Sequence, residues 1–327
     1  MRRDNRHVLK QVYQSIMGID ESRSLALRPA FTKWINDNEA ASARKTVQKY
    51  RAIAKQFCDY FQADDNAPLA DEITTDSIRA FLDNQGTVKS PGTVNVTRKV
   101  LSAFFRSLGR ENPVAGIRAV KDNTESVRRP FTLPEISLVF KNCPNDFWRF
   151  MVMAGFFTGQ RLGDLACLRV GNVDLQTGML RITSIKTGKT VNIPIHPVLR
   201  ELIQVRLGKL TKGKAAAYLW PEQAAVYNKR GSGPLSAEFY EILSSCGLVA
   251  IRMDKKGEGK GRDARRITNE LSFHCLRHTF VSLLKITGAN QATAKELAGH
   301  SSDAVNDNYT HLPEATLREA INNLPKI

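Results

Sequence analysis

A polar, charged stretch divides the chain into two parts, each with its own apolar pattern. It runs from Asn112-Pro113 to Phe131 and contains Lys121-Asp122-Asn123-Thr124-Glu125 and Arg128-Arg129-Pro130, with few large apolar residues. Such a stretch contributes little to a packed core and is typical of a connection between domains. The sequence therefore predicts an N-terminal extension (1–24), a helical domain (25–118), a linker (119–130) and a second domain (131–327).

The first domain has the periodicity of helices, with apolar residues at three- and four-residue steps. The third of its four segments begins at an N-cap, Thr74 or Thr75, and the fourth follows Ser90-Pro91, where the proline suits a first helical turn. The predicted segments are Ala30 to Asn38 with Phe31, Trp34 and Ile35; Ala43 to Phe61 with Val47, Tyr50, Ile53, Ala54 and Phe57; a third with Ile78, Phe81 and Leu82; and a fourth ending at Gly109 with Val94, Val100, Leu101, Phe104, Phe105 and Leu108. Together they predict a small helical bundle.

The second domain combines helices with a β-hairpin. It opens with Thr132-Leu133-Pro134-Glu135, a helix cap followed by proline and glutamate in the first turn. Met179 to Ile185 and Thr190 to Ile195 alternate as strands do, and Lys186-Thr187-Gly188-Lys189 predicts a tight turn between them. The run from Arg252 to Arg266 has no apolar face, which indicates a basic loop, either a solvated surface loop or one in direct contact with DNA.

Charge and cysteine content narrow the class of protein. The formal charge is +16, with 22 basic against 15 acidic residues up to Pro130 and 26 against 17 from Phe131 onward. A basic excess in both parts favours a polyanionic partner, with nucleic acid the first candidate. The five cysteines form no C-x-x-C pair, and no apolar run reaches membrane-spanning length. We expect a cytoplasmic, nucleoid-associated protein without a membrane contact.

Three kinds of group are needed to break a phosphodiester without a metal ion. A nucleophile attacks phosphorus, cations stabilise the charge on the non-bridging oxygens, and an acid protonates the 5′ oxygen. Arg161, in Thr158-Gly159-Gln160-Arg161, stands at a helix start where a guanidinium can bind a phosphate. His274 and Arg277 are three residues apart and share one helix face. Leu297-Ala298-Gly299-His300 follows, and then Tyr309.

At these residues the sequence resembles the tyrosine recombinase, or phage integrase, family, over most of its length. The resemblance implies a mainly α fold, in which a helical core-binding (SAM-like) bundle precedes a mixed α/β catalytic domain with a small sheet. Asp164 stands where many members have glutamate, Ala298 replaces a common leucine, and the segment 303–308 is unusually polar and acidic. By the resemblance the catalytic residues are Arg161, Lys186, His274, Arg277, His300 and the nucleophile Tyr309.

The resemblance also implies a role for each of these residues. Arg161, Arg277 and His300 bind the scissile phosphate, and His274 assists deprotonation of Tyr309. Lys186 is the general acid, with Lys189 in the same turn as the alternative. No cofactor or metal ion is expected, because the pair His274 and His278 lacks the glutamate of a hydrolytic zinc helix. We interpret His278 as structural, packed or hydrogen-bonded behind the active face, and His311 as a surface residue.

The implied partner is double-stranded DNA, which the two domains of a protomer hold between them. The implied assembly is a homotetramer on two DNA sites, with a dimer on each site. The protein would then be a mobile-element integrase or an Xer-like recombinase, and the sequence does not separate them. A type IB topoisomerase and a catalytically silent DNA-binding relative are the alternatives. After Tyr309, an apolar stripe formed by Leu317, Ala320, Ile321 and Leu324 packs either on its own domain or on a neighbouring protomer.

Overall fold

The structure is a computed structural model that describes residues 25–109, 111–121, 128–210, 215–251, 269–299 and 314–325. The chain divides into two units, with the boundary between Thr124 and Glu125. The predicted extension (1–24), the basic run 252–266, His300, Tyr309 and His311 lie outside the described residues. None of the helices within the described ranges is long and apolar enough to cross a membrane.

Four helices form the described part of the first unit, as the periodicity predicts. The third is capped by Thr74, whose side chain accepts a hydrogen bond from Ser77 N at 3.2 Å, and the fourth by Ser90, which is followed by Pro91. The helices are α1 (Leu27–Glu39), α2 (Arg44–Tyr60), α3 (Thr75–Gly86) and α4 (Pro91–Ser107).

Aromatic side chains fill the core of this unit. Phe31 of α1 stacks on Phe104 of α4 with ring centroids 3.6 Å apart, and Phe57 of α2 meets Phe81 of α3 edge-on at 4.9 Å. All four are buried. Edge-on and stacked pairs add to the free energy that burial of apolar surface supplies, so these rings hold all four helices together.

The second unit surrounds one helix that is buried on all sides. This helix, α6, has eleven buried residues among its thirteen-residue span from Asp146 to Thr158. It packs against the helices that precede and follow it and against two later ones. The helices of the unit are α5 (Leu133–Lys141), α6 (Asp146–Thr158), α7 (Leu162–Ala166), α8 (Pro197–Lys209), α9 (Pro221–Arg230), α10 (Gly233–Ser245), α11 (Phe273–Ile286), α12 (Gln291–Ala298) and α13 (Glu314–Asn322).

A small antiparallel sheet completes this unit and confirms the predicted hairpin. Strands β2 (Met179–Thr183) and β3 (Thr190–Pro194) pair with Ile182 opposite Val191, both buried. A two-residue strand, β1 (Val173–Asp174), adds to the outer edge of β2 and was not predicted. The mainly helical fold with a small sheet is therefore confirmed.

The C-terminal stripe packs on its own unit. Leu317, Ala320 and Ile321 of α13, with Leu324 just after it, are buried within the core of the second unit. Helix α13 lies against α12 and β3, and Arg318 donates a hydrogen bond to the carbonyl of Thr177. The sequence left open whether this stripe packs on its own domain or on a neighbouring protomer, and in the structure it packs on its own domain.

Candidate active site

A glycine turn between α6 and α7 forms one wall of the candidate site. Gly159 ends α6 with a φ of 63°, a backbone conformation that favours glycine. A Cβ on Gly159 would stand 2.4 Å from Cδ1 of Phe280, so packing also requires glycine. The turn places Arg161 directly before the first residue of α7.

Arg277 reaches this turn from α11. Its side chain is buried, and its Nη1 donates a hydrogen bond to the carbonyl of Gly159 at 2.9 Å. Its Nη2 is buried without a hydrogen-bond partner among the described residues. Desolvation, followed by repulsion from Arg161, lowers the pKa of Arg277 to about 10, which still leaves it charged at neutral pH. A buried cationic donor without a partner favours the binding of an anion.

Asp164 joins Arg161 to the hairpin. Arg161 donates to Oγ of Ser184 at 3.2 Å, and its Nη1 lies 3.9 Å from Oδ2 of Asp164. The buried Asp164 accepts a hydrogen bond from Ile185 N at 2.8 Å through its Oδ1. Desolvation raises the pKa of Asp164, and the bond from Ile185 and the charge of Arg161 oppose this. Asp164 thus fixes the start of the hairpin turn relative to Arg161.

The two predicted lysines lie in this turn. Its backbone is closed by hydrogen bonds from Ser184 N to the carbonyl of Lys189 and from Gly188 N to the carbonyl of Ser184, both 2.8 Å. Lys186 is exposed and directly follows the residue that Asp164 binds, whereas Lys189 is half-buried. The structure therefore brings the beginning of the turn to Arg161.

His274 lies one turn before Arg277 on α11. Desolvation, followed by the charges of His278, Arg277, Arg128 and Arg161, lowers the pKa of His274 to about 4. Because the side chain is exposed, solvent reduces the contribution of desolvation to this shift. The neighbouring cations also lower the pKa of His274. His274 is thus neutral at pH 7 in the free protein.

The interpretation of His278 as a residue behind the active face is wrong. His278 is exposed, and its ring centroid lies 5.2 Å from that of His274 in an edge-on arrangement. The four-residue spacing explains this, since it places both rings on one face of the helix.

The segment that leads to His300 is attached to the glycine turn. Gln160 is buried, and its Nε2 donates to the carbonyl of Leu297 at 2.9 Å and to that of Thr158 at 3.0 Å. Helix α12 then ends at Ala298 and is capped by Gly299, which has a φ of 64°. The description of this segment stops at Gly299, so His300 and Tyr309 are not placed in the site.

Three residues with a structural part in the site were not among the predicted site residues. They are Gln160, Asp164 and Ser184, which hold Leu297, Ile185 and Arg161 respectively. The place of Gln160 between Gly159 and Arg161, within the glycine turn itself, is the signal that could have indicated it. No group of three or more His, Cys, Asp or Glu residues in the described ranges could hold a metal ion.

The second unit thus holds two arginines close together, one of them with a buried donor that has no partner among the described residues. Residues 139–315 match the phage integrase family. The XerD tyrosine recombinase of Corynebacterium glutamicum is 27% identical over 308 residues, covering 86% of this chain and 92% of the relative. This chain therefore belongs to the phage integrase family, and it is a DNA strand-transferring recombinase of the tyrosine class.

Solved structures share the fold. A lambda integrase tetramer bound to a Holliday junction has a TM-score of 0.62 and 22% identity, covering 90% of this chain and 82% of that one. The Tn1549 transposon integrase in complex with circular intermediate DNA has a TM-score of 0.62 and 17% identity, covering 90% and 98%. At these identities the likeness concerns the fold.

Proposed function

We propose that the protein exchanges DNA strands at specific sites through a 3′-phosphotyrosine intermediate on Tyr309. The observation that carries this proposal is the pair Arg161 and Arg277, two cations held close together, of which Arg277 has a buried Nη2 without a partner among the described residues. A phosphodiester in cleavage gains negative charge on its non-bridging oxygens. Donors already fixed in place stabilise that charge without reorganisation.

In the proposed reaction, Oη of Tyr309 attacks the phosphorus and the bond from phosphorus to the 5′ oxygen breaks. His274, neutral at pH 7, accepts the tyrosine proton, and Lys186 gives a proton to the departing 5′ oxygen. His300 joins Arg161 and Arg277 at the phosphate. A 5′ hydroxyl of the partner strand then attacks the phosphotyrosine: the neutral Lys186 takes the proton of this hydroxyl, the bond from phosphorus to Oη breaks, and the protonated His274 returns its proton to Tyr309. Each step breaks one phosphoester bond and forms another, so no ATP is consumed.

The assembly belongs to the same proposal. Four copies, a dimer on each of two DNA sites, would exchange strands in pairs through a Holliday junction. A lambda integrase tetramer of similar fold is bound to a Holliday junction, which supports this assembly. The helical unit would be the core-binding domain (25–118), the stretch 119–130 the linker, and residues 131–327 the catalytic domain. Such a protein acts in the cytoplasm, on the nucleoid.

Trapping the covalent intermediate tests this proposal. On a duplex nicked beside the cleavage site, the wild-type protein should form an adduct that resists denaturant. The short fragment that carries the 5′ hydroxyl diffuses away, so the strand cannot be rejoined. Tyr309→Phe should bind the same duplex with unchanged affinity and form no adduct. An adduct with the Phe variant would mean that another residue is the nucleophile.

The same substrate separates the alternatives. A catalytically silent DNA-binding protein would form no adduct. A type IB topoisomerase would form one but would not join strands between two duplexes. Joined products from two differently labelled duplexes therefore identify a recombinase, and their absence from a reaction that forms adducts would favour the topoisomerase.

A further inference from the structure

Two consecutive arginines at the end of the linker have different surroundings. Arg129 binds Glu135 through two hydrogen bonds, Nη2 to Oε1 at 2.7 Å and Nη1 to Oε2 at 2.9 Å, and its Nε donates to Oε2 of Glu270 at 3.1 Å. Its backbone N also donates to the carbonyl of Glu270 at 3.2 Å. A bidentate pair of this kind is geometrically specific, so Arg129 has one fixed position.

This position attaches the end of the linker to α11. Glu270 lies four residues before His274, and Phe131 N donates at 2.8 Å to Oγ1 of Thr279, a buried residue of α11. Glu135 also completes a capping box with Thr132, and the bonds from Arg129 lower the pKa of Glu135 to about 2. The segment 129–131 is therefore bound at both ends to the stretch 270–279, which carries His274 and Arg277: Arg129 binds Glu270, and Phe131 binds Thr279.

Arg128 directly precedes this attached segment. Its side chain is exposed and forms no hydrogen bond or ion pair with any described residue. Its charge acts on His274, together with those of His278, Arg277 and Arg161. The groups that act on His274 in this way are all bases, and the carboxylates nearby, Asp164 beside Arg161 and Glu135 and Glu270 beside Arg129, pair with other cations. The cations around His274 therefore repel one another, and a bound anion relieves that repulsion.

We propose that Arg128 is a further phosphate-binding residue of the site, and that Arg129 is the positioning residue that holds it there. Its ligand is a backbone phosphate of the DNA strand that is cut, close to the phosphate held by Arg161 and Arg277. This inference rests on the proposed function. It assigns to the end of the linker a part in substrate binding.

The placement of Arg128 can be tested in the full-length protein without DNA. A pH titration of the histidine ring resonances by NMR gives the pKa of His274, assigned by its loss in His274→Gln. Arg128→Gln should raise this pKa by roughly half a unit, because one repelling charge is removed. The matched control is Lys141→Gln, an exposed cation at the far end of α5, which should leave it unchanged. An unchanged His274 pKa in Arg128→Gln would overturn the placement.

The phosphate contact can be tested by binding. The slope of log affinity against log salt should fall by about one in Arg128→Gln, because one phosphate contact is lost. Arg128→Lys should restore the slope, since a lysine keeps the charge. A slope in Arg128→Gln equal to that of the wild-type protein would overturn the contact.

Single-turnover cleavage of the nicked duplex tests the link to the reaction. We expect roughly a tenfold slower cleavage for Arg128→Gln, less than the loss of a donor that binds the scissile phosphate itself. Arg129→Gln should slow cleavage by a similar factor. It should also raise the pKa of His274, because Arg128 is then no longer held in place. Loss of a residue that only stabilises the fold would leave this pKa unchanged. Wild-type cleavage rates in both variants would overturn the proposal. If the wild-type protein forms no adduct at all, the tyrosine mechanism fails, while the NMR and salt measurements still decide the role of Arg128.

Discussion

Helix α11 and the hairpin turn at residues 184–189 border the same site but differ in burial. Arg277 on α11 is only 4% exposed and is held by the carbonyl of Gly159. Lys186 in the turn is exposed and forms no hydrogen bond with any described residue. A group that stabilises charge benefits from being fixed in advance, whereas a proton donor must regain its proton from solvent. The difference in burial thus fits the two roles proposed for Arg277 and Lys186.

The largest expected effect is on the buried side of the site. Arg277→Ala should slow cleavage roughly a hundredfold to a thousandfold, while DNA binding weakens far less, because the lost donor acts on charge that grows in the transition state. Arg277→Lys should be nearly as slow, since one ammonium cannot replace both the bond from Nη1 to Gly159 and the contact proposed between Nη2 and the phosphate.

Single-turnover cleavage and equilibrium binding are the measurements for Arg277. Arg149→Ala is the control, because Arg149 forms an exposed ion pair with Asp146 and such pairs contribute little. Equal losses in binding and cleavage would mean that Arg277 only holds the DNA backbone.

A smaller loss is expected on the exposed side. Lys186→Ala should slow cleavage roughly a hundredfold, within the range of general acid catalysis. A substrate with sulfur in place of the 5′ leaving oxygen needs no acid and should restore the rate of this variant. The same substrate should not restore Lys189→Ala. Restoration of Lys189→Ala instead would assign the acid to Lys189.

The connection between the hairpin turn and Arg161 can be broken at Asp164. Asp164→Ala should lower the free energy of unfolding by about 1–3 kcal/mol, because the hydrogen bond from Ile185 N to a buried acceptor is lost. Asp164→Asn keeps an acceptor for Ile185 and should lower it less. Urea unfolding monitored by circular dichroism measures both variants. Equal stability of the wild-type protein and Asp164→Ala would show that the turn does not depend on this contact.

The smallest effect concerns pH. Because the folded-state pKa of His274 is about 4, below its ordinary value, the unfolded chain binds more protons between about pH 6.5 and pH 4. Stability should therefore fall as the pH decreases through this window and should not change through this group above it. The contribution is less than about 1 kcal/mol, since His274 is exposed. A His274→Gln variant with the same pH dependence as the wild-type protein would contradict this assignment.

Local signals in the sequence predicted much of the fold. The cap at Thr132, the cap at Thr74 and the pairing of β2 with β3 depend on residues close in sequence, and all three are present. The contacts that build the site were not predicted, because their partners are far apart in sequence. Asp164 and Ile185 are 21 residues apart, Gln160 and Leu297 are 137 apart, and Arg129 and Glu270 are 141 apart. Such pairs depend on how helices pack, which periodicity does not specify.

Gly159 limits how this enzyme could be redesigned. In a library randomised at this position and selected for recombination, we expect glycine alone to survive, because the positive φ disfavours a Cβ and the side chain of Phe280 occupies the place that a Cβ would take. A smaller residue at position 280 would remove only the second restriction. Asparagine, which tolerates the left-handed conformation better than other side chains, would then be the first substitute to appear. Directed evolution toward new target sequences therefore has to work around a turn that offers almost no variation.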